Sequence, residues 1–167
     1  MSTSPAPPLS PTLRGRVLYV DDEEEVRAVF YDVVAVDFDV TCVESGAAAL
    51  DALAADAYDV LVSDMRMNPM RGSELLAIAC TLHASTPRIL LTGFTDHDDL
   101  ADAVNRARLF AYLQKPWDAD QLKLTLRRAY ESRRLELDNH RLIEELRAAN
   151  AELQRTAERL QRRDGEG

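Results

Sequence analysis

Five short apolar runs recur along this chain, each followed by polar residues and then by a stretch with helical spacing. The runs are Arg16–Val20, Phe38–Val43, Asp59–Ser63, Arg88–Thr92 and Leu109–Leu113. Short, nearly continuous apolar runs suit strands buried on both faces, as in a parallel sheet. Between them, residues 24–36 carry Val26, Val29, Phe30, Val33 and Val34 along one helical side. Ser45 is a plausible N-cap for a helix over 46–56, whose apolar positions include Leu50 and Leu53. A loop with Asn68, Pro69 and Gly72 leads into a third helix over 73–83, and a fourth runs from Asp96 to Arg106. Asp118 caps a fifth helical stretch that meets no Gly or Pro until Gly165.

Strict alternation of strand and helix predicts an α/β fold: a doubly wound, five-stranded parallel sheet with right-handed crossovers and helices on both faces. Ligands of such sheets bind beyond the carboxyl ends of the strands. The residues following each strand therefore carry the functional reading. The first strand delivers Asp21 and Asp22, the third Asp64, the fourth Thr92 and the fifth Lys115. Three carboxylates crowded together repel one another and call for a hard cation. An all-oxygen set with no Cys or His suits Mg²⁺ better than a transition metal. A carboxylate beside such a cation can attack phosphorus, with Lys115 as a point charge for one phosphoryl oxygen and the Thr92 hydroxyl as a donor to another. Singly, each residue has an ordinary role: Asp21 and Asp22 suit a helix N-terminus, and Thr92 a strand end. Their convergence at one edge favours the chemical reading.

Charge sharpens the picture. Residues 1–117 hold 9 basic and 18 acidic side chains, whereas residues 118–163 hold 11 and 9. The acidic globular part repels phosphate backbones, so nucleic acid is not an expected partner. The mixed tail reads as a solvated helix surface. No stretch approaches the roughly 20 apolar residues needed to cross a bilayer. The expected location is the cytoplasm, with Cys42 and Cys80 as small buried hydrophobes and no disulfide. Residues 1–14, with Ser, Thr and Pro and no apolar run, are expected to form a disordered leader, and 164–167 a disordered end.

The motifs resemble the receiver domains of bacterial two-component response regulators. The matching pieces are Val17–Asp22, Asp59–Met67 with Gly72 after it, Ile89–Gly93 and Tyr112–Trp117, spread over roughly residues 15–130. The Met65-Arg66-Met67 and Lys115-Pro116-Trp117-Asp118 wording is similar to a subset of receivers joined to transcription activators or cyclic-dinucleotide phosphodiesterases. The resemblance implies a flavodoxin/CheY-like (βα)5 fold and a histidine kinase or phosphotransfer protein as phosphoryl donor. It further implies Asp64 as phosphoacceptor and Asp22 as a direct Mg²⁺ ligand, with Asp21 acting largely through water. The backbone carbonyl of Arg66 would be a further ligand, and Lys115 would bind the phosphoryl group. Thr92 and Tyr112 would move together as the switch, passing the signal through the face formed by the fourth helix, fifth strand and fifth helix. In the family, Pro usually stands four residues after the acceptor. Here Asn68 holds that place and Pro69 follows, which moves the backbone constraint by one residue.

Past residue 130 the pattern changes. Leu135, Asn139, Leu142, Leu146, Ala149, Leu153, Thr156 and Leu160 alternate spacings of four and three, forming a heptad seam over 131–163 with one Asn. Such a helix extends about 50 Å. A parallel coiled-coil homodimer is the expectation; a helical partner protein or a helix folding back on the globular part are the alternatives. His140 lacks an acidic neighbour on its C-terminal side, so a histidine-kinase reading is rejected. The leading function is a phosphorylation-switched signalling domain, not an enzyme acting on a soluble substrate, with a constitutive coiled-coil scaffold as the alternative. A haloacid-type phosphatase would need a second acid two residues after the nucleophile, where this chain has Arg66. A flavodoxin-type nucleotide site is opposed by the acidic run Asp21–Glu25.

Overall fold

The computed structural model describes residues 14–165, so most of the expected leader and the last two residues lie outside the described residues. Strands β1 (Arg16–Val20), β2 (Asp39–Val43), β3 (Val60–Asp64), β4 (Arg88–Thr92) and β5 (Ala111–Gln114) form one parallel sheet in the order β2-β1-β3-β4-β5. Helices α1 (Glu24–Val34), α2 (Gly46–Ala55), α3 (Gly72–Leu82), α4 (His97–Ala107) and α5 (Ala119–Gly165) alternate with them. This is the doubly wound (βα)5 architecture predicted from the alternation of periods.

Side-chain alternation along the strands divides the core in two. Leu18, Val20, Leu61 and Leu90 face α2, α3 and α4, where they meet Leu53, Leu75, Leu76, Ala79 and Ala103. Val17, Tyr19, Val62, Ile89 and Leu91 face the other way, against Phe30 and Val34 of α1 and Leu122, Leu126 and Ala129 of α5. Burying each large apolar side chain contributes roughly 1.5–3 kcal/mol, and the two layers together hold the sheet between helices.

Local signals act where expected. The Ser45 hydroxyl accepts from the Ala48 amide at 3.1 Å, and the Asp118 carboxylate accepts from that of Gln121 at 2.9 Å. At the opposite end of the sheet, the buried Arg88 guanidinium donates to the carbonyls of Ala107 (2.7 Å), Thr86 (2.7 Å) and Arg108 (3.2 Å). It satisfies carbonyls at the end of α4, and burial lowers its pKa.

Some expectations shift. Val29, counted on the apolar side of α1, is 54% exposed. The stripe that meets the sheet is built on Phe30 and Val34 with Val33 packed partly buried beside them, and α1 ends at Val34, two residues early. β5 begins at Ala111, two residues after the predicted Leu109. Cys42 and Cys80 are free but only half-buried. Arg14, placed in the leader, donates to the carbonyls of Ala35 (2.8 Å) and Val36, and α5 continues through Gly165.

Candidate phosphoacceptor site

The strand order places β1 and β3 side by side, with Val20 opposite Ser63, so the acid pair after β1 and Asp64 at the end of β3 meet. Carboxylate oxygens of Asp21, Asp22 and Asp64 lie within 4.8 Å of one another. Asp21 and Asp64 are buried and Asp22 is exposed, so the cluster is anchored in the core and opens to solvent on one side. β4 brings buried Thr92 to the same edge, and the Lys115 amide donates to the Thr92 carbonyl at 2.7 Å. From there the Lys115 ammonium reaches across to Asp64 Oδ1 (2.8 Å) and Asp21 Oδ2 (3.2 Å). Four of the predicted residues are thus in mutual contact or within a few ångströms, and Thr92 adjoins them through the backbone.

Electrostatics there are divided. Burial pushes the Asp64 carboxyl above its usual range, and the ion pair with Lys115 only partly offsets that. Burial pulls Lys115 down, but its bonds to Asp64 and Asp21 outweigh this and leave it raised, so the ammonium stays charged. One cation for three carboxylates leaves net negative charge in a partly desolvated pocket. That donor set fits Mg²⁺: it is all oxygen, carries charge to be neutralised, and keeps one side open.

Backbone packing supports Asp64. Gly72 passes directly behind it, and a Cβ there would lie 1.8 Å from the Asp64 carbonyl oxygen. The close approach excludes any side chain at the start of α3. Ser63 Oγ donates to that same carbonyl at 2.9 Å.

Several contributors escaped the sequence reading. Tyr19 donates from its hydroxyl to Asp21 Oδ2 at 2.6 Å, and the Glu23 amide donates to Asp21 Oδ1 at 2.9 Å. A phenol among the buried aliphatic residues of β1 was the available signal for Tyr19. Asp96, read as a helix start, is buried. It accepts from the Gly93 amide (2.8 Å) and from Arg66 Nε (2.7 Å), while Arg66 also reaches Thr95 Oγ1. This ion pair joins the loop after Asp64 to the loop after Thr92. Tyr112 is 53% exposed on β5, outside the acid cluster.

The response regulator receiver domain family matches residues 17–127. The hydrogenase transcriptional regulatory protein HoxA of Cupriavidus necator is 34% identical over 145 residues, which are 86% of this chain and 30% of the relative. The DNA-binding transcriptional regulator NtrC of Escherichia coli K12 is 38% identical over 117 residues, 70% of this chain and 25% of the relative. The chain therefore spans under a third of the length of these relatives. Among solved structures, the signal receiver domain of an HD domain-containing protein from Pseudomonas fluorescens Pf-5 superposes with a TM-score of 0.73 at 32% identity, covering 78% of this chain and 96% of that one. The family match spans most of the chain, and relatives in sequence and in fold agree with it, so the chain belongs to the response regulator receiver domain family.

Proposed function

We propose that Asp64 accepts a phosphoryl group from a histidine kinase or a phosphotransfer protein, with Mg²⁺ held by Asp21, Asp22, Asp64 and the Arg66 backbone carbonyl. The supporting observation is the bridge from Lys115 to both Asp64 and Asp21 inside a cluster of three carboxylates. In the transfer, a carboxylate oxygen of Asp64 forms the new bond to phosphorus. The bond from phosphorus to the donor nitrogen breaks, and the departing imidazole takes a proton from solvent. Bound Mg²⁺ would supply positive charge for the phosphoryl oxygens. Lys115 then exchanges its carboxylate partner for a phosphoryl oxygen, and the Thr92 hydroxyl donates to another. The space Thr92 leaves is taken by Tyr112, whose exposed ring rotates inward. The signal leaves through α4, β5 and α5.

The tail is the proposed output. Leu135, Asn139, Leu142, Leu146, Leu153, Thr156 and Leu160 are all exposed on a continuous helix, with Ala149 beside them. Leu135, Leu142, Leu146, Leu153 and Leu160 supply a seam suited to a parallel homodimer, in which Asn139 sets register. A helical partner protein would use the same surface. The transcriptional-regulator relatives favour a role in transcriptional signalling over the phosphodiesterase-linked alternative that the Lys115-Pro116-Trp117 resemblance also allows.

Exposure of the seam in this conformation also favours a second reading, a dimer that forms without phosphorylation. Light scattering with size-exclusion chromatography separates them, using Mg²⁺ alone or with beryllofluoride, an acyl-phosphate mimic, on wild type and Asp64→Ala. A mass or shape change confined to wild type supports the switch. An identical dimer in every case refutes the switched output and leaves the constitutive scaffold.

A further inference from the structure

Tyr19 is the one aromatic ring in a strand whose other inward positions are aliphatic, and it is fully buried. A phenylalanine would fill the same volume without a hydroxyl that needs a partner, since an unpaired buried hydroxyl is costly. The hydroxyl has a specific partner: Asp21 Oδ2, at 2.6 Å. With the Glu23 amide on Oδ1 and Lys115 on Oδ2, Asp21 is held at both oxygens by donors from three segments of the chain. Its orientation is set before any cation arrives.

The other end of Tyr19 leads away from the site. Its ring stacks on Phe30 of α1, with centroids 3.8 Å apart and planes inclined by 14°. Phe30 in turn meets the edge of Trp117, at 6.2 Å and 81°. Trp117 directly precedes Asp118, the cap of α5, and α5 runs unbroken into the tail. Three rigid rings thus connect a carboxylate of the acid cluster to the root of the tail helix. They lie on the α1 and α5 side of the sheet, apart from the Thr92 and Tyr112 positions on β4 and β5. Interiors this densely packed do not absorb a ring displacement locally, so a tilt of Tyr19 displaces its neighbours.

We propose that Tyr19 is a positioning residue for Asp21, and that the Tyr19–Phe30–Trp117 stack couples the state of the acid cluster to the start of the tail helix. The proposal rests on the cation-binding reading of that cluster. A competing route exists through the backbone from Lys115 to Trp117, so the test must cut the hydroxyl link and leave Lys115 in place.

Trp117 is the only tryptophan in the chain, so its emission reports one position. The full chain is titrated with MgCl₂, following binding by calorimetry and Trp117 emission in parallel, for wild type, Tyr19→Phe and Phe30→Leu. Circular dichroism confirms that each variant is folded. The expected result is a Mg²⁺-dependent emission change in wild type whose amplitude at calorimetric saturation at least halves in Tyr19→Phe. Phe30→Leu, which keeps the hydroxyl but removes the middle ring, is expected to lose amplitude similarly. Full amplitude in saturated Tyr19→Phe, or a silent Trp117 in saturated wild type, overturns the coupling alone. Absence of Mg²⁺ binding to folded wild type overturns the cation reading and the coupling with it.

Discussion

One helix serves two environments. From Ala119 to Tyr130, α5 buries Leu122, Leu126 and Ala129 completely against the sheet. Beyond Tyr130 its leucines stand open, with Leu135 at 70% and Leu146 at 62% exposure. The junction is firm: Tyr130 packs edge-on against Phe38 at 6.2 Å and over Gly15, where a Cβ would lie 2.7 Å from its ring. One turn further on, Arg133 donates to Ser85 Oγ. Helical spacing creates an apolar stripe in both halves, but a stripe specifies only a face. The sheet covers the first stripe, and the second extends past the sheet and stays exposed.

If the two regions have separate tasks, chemistry and oligomerisation should come apart under mutation. The largest effect is expected from Asp64→Ala: complete loss of phosphoryl incorporation from a small acyl-phosphate donor, read by intact-protein mass spectrometry. A Leu146→Asp, Leu153→Asp double variant should incorporate phosphate normally, and its failure to do so would break the division. The same double variant should convert a dimer to monomer in light scattering.

Stability draws the next contrast. Leu126→Ala removes a fully buried side chain and should cost about 2–5 kcal/mol in urea unfolding. Leu146→Ala should cost no more than about 0.5 kcal/mol at concentrations where the tail is monomeric. Comparable losses would show that the tail packs back on the sheet.

Smaller effects sharpen the view of the receiver itself. Burial raises the Asp64 pKa despite Lys115, so its charged form is disfavoured in the folded protein. Asp64→Asn should therefore stabilise the Mg²⁺-free protein, by on the order of 1 kcal/mol, in a thermal melt. A lowered melting temperature would show that the ion pair outweighs burial.

Asp96 is the opposite case. Burial alone would raise it, but Arg66 and the Gly93 amide outweigh that and hold it below the usual carboxylate range. A depressed folded pKa contributes stability that is present above the unfolded value, near 4, and lost as pH falls through the folded value. With the guanidinium largely exposed, the effect should be no more than about 1 kcal/mol. Asp96→Asn should remove that part of the acid-side loss in melts compared across pH. An unchanged acid limb would dismiss the Arg66–Asp96 bridge as a source of stability.

Much of this was legible locally. Apolar runs marked every strand to within two residues, and Ser45 and Asp118 cap the helices they were assigned to. Asp21, Asp22, Asp64 and Lys115 could be grouped because successive parallel strands deliver their last residues to one edge. Val29 was misplaced because helical spacing shows which residues align, not how wide a stripe the sheet will cover. The Arg66–Asp96 pair was invisible because its partners lie 30 residues apart on loops with no repeating pattern.

The sequence by itself determined the alternation of elements, the acid and lysine set at the strand ends, and the heptad seam, since each depends on spacing along one segment. Only the tertiary structure decided that the Tyr19 hydroxyl meets Asp21, that Gly72 passes behind Asp64, and that Phe30 stands between Tyr19 and Trp117. Those contacts join segments whose nearness follows from strand order and helix packing, which no local periodicity encodes.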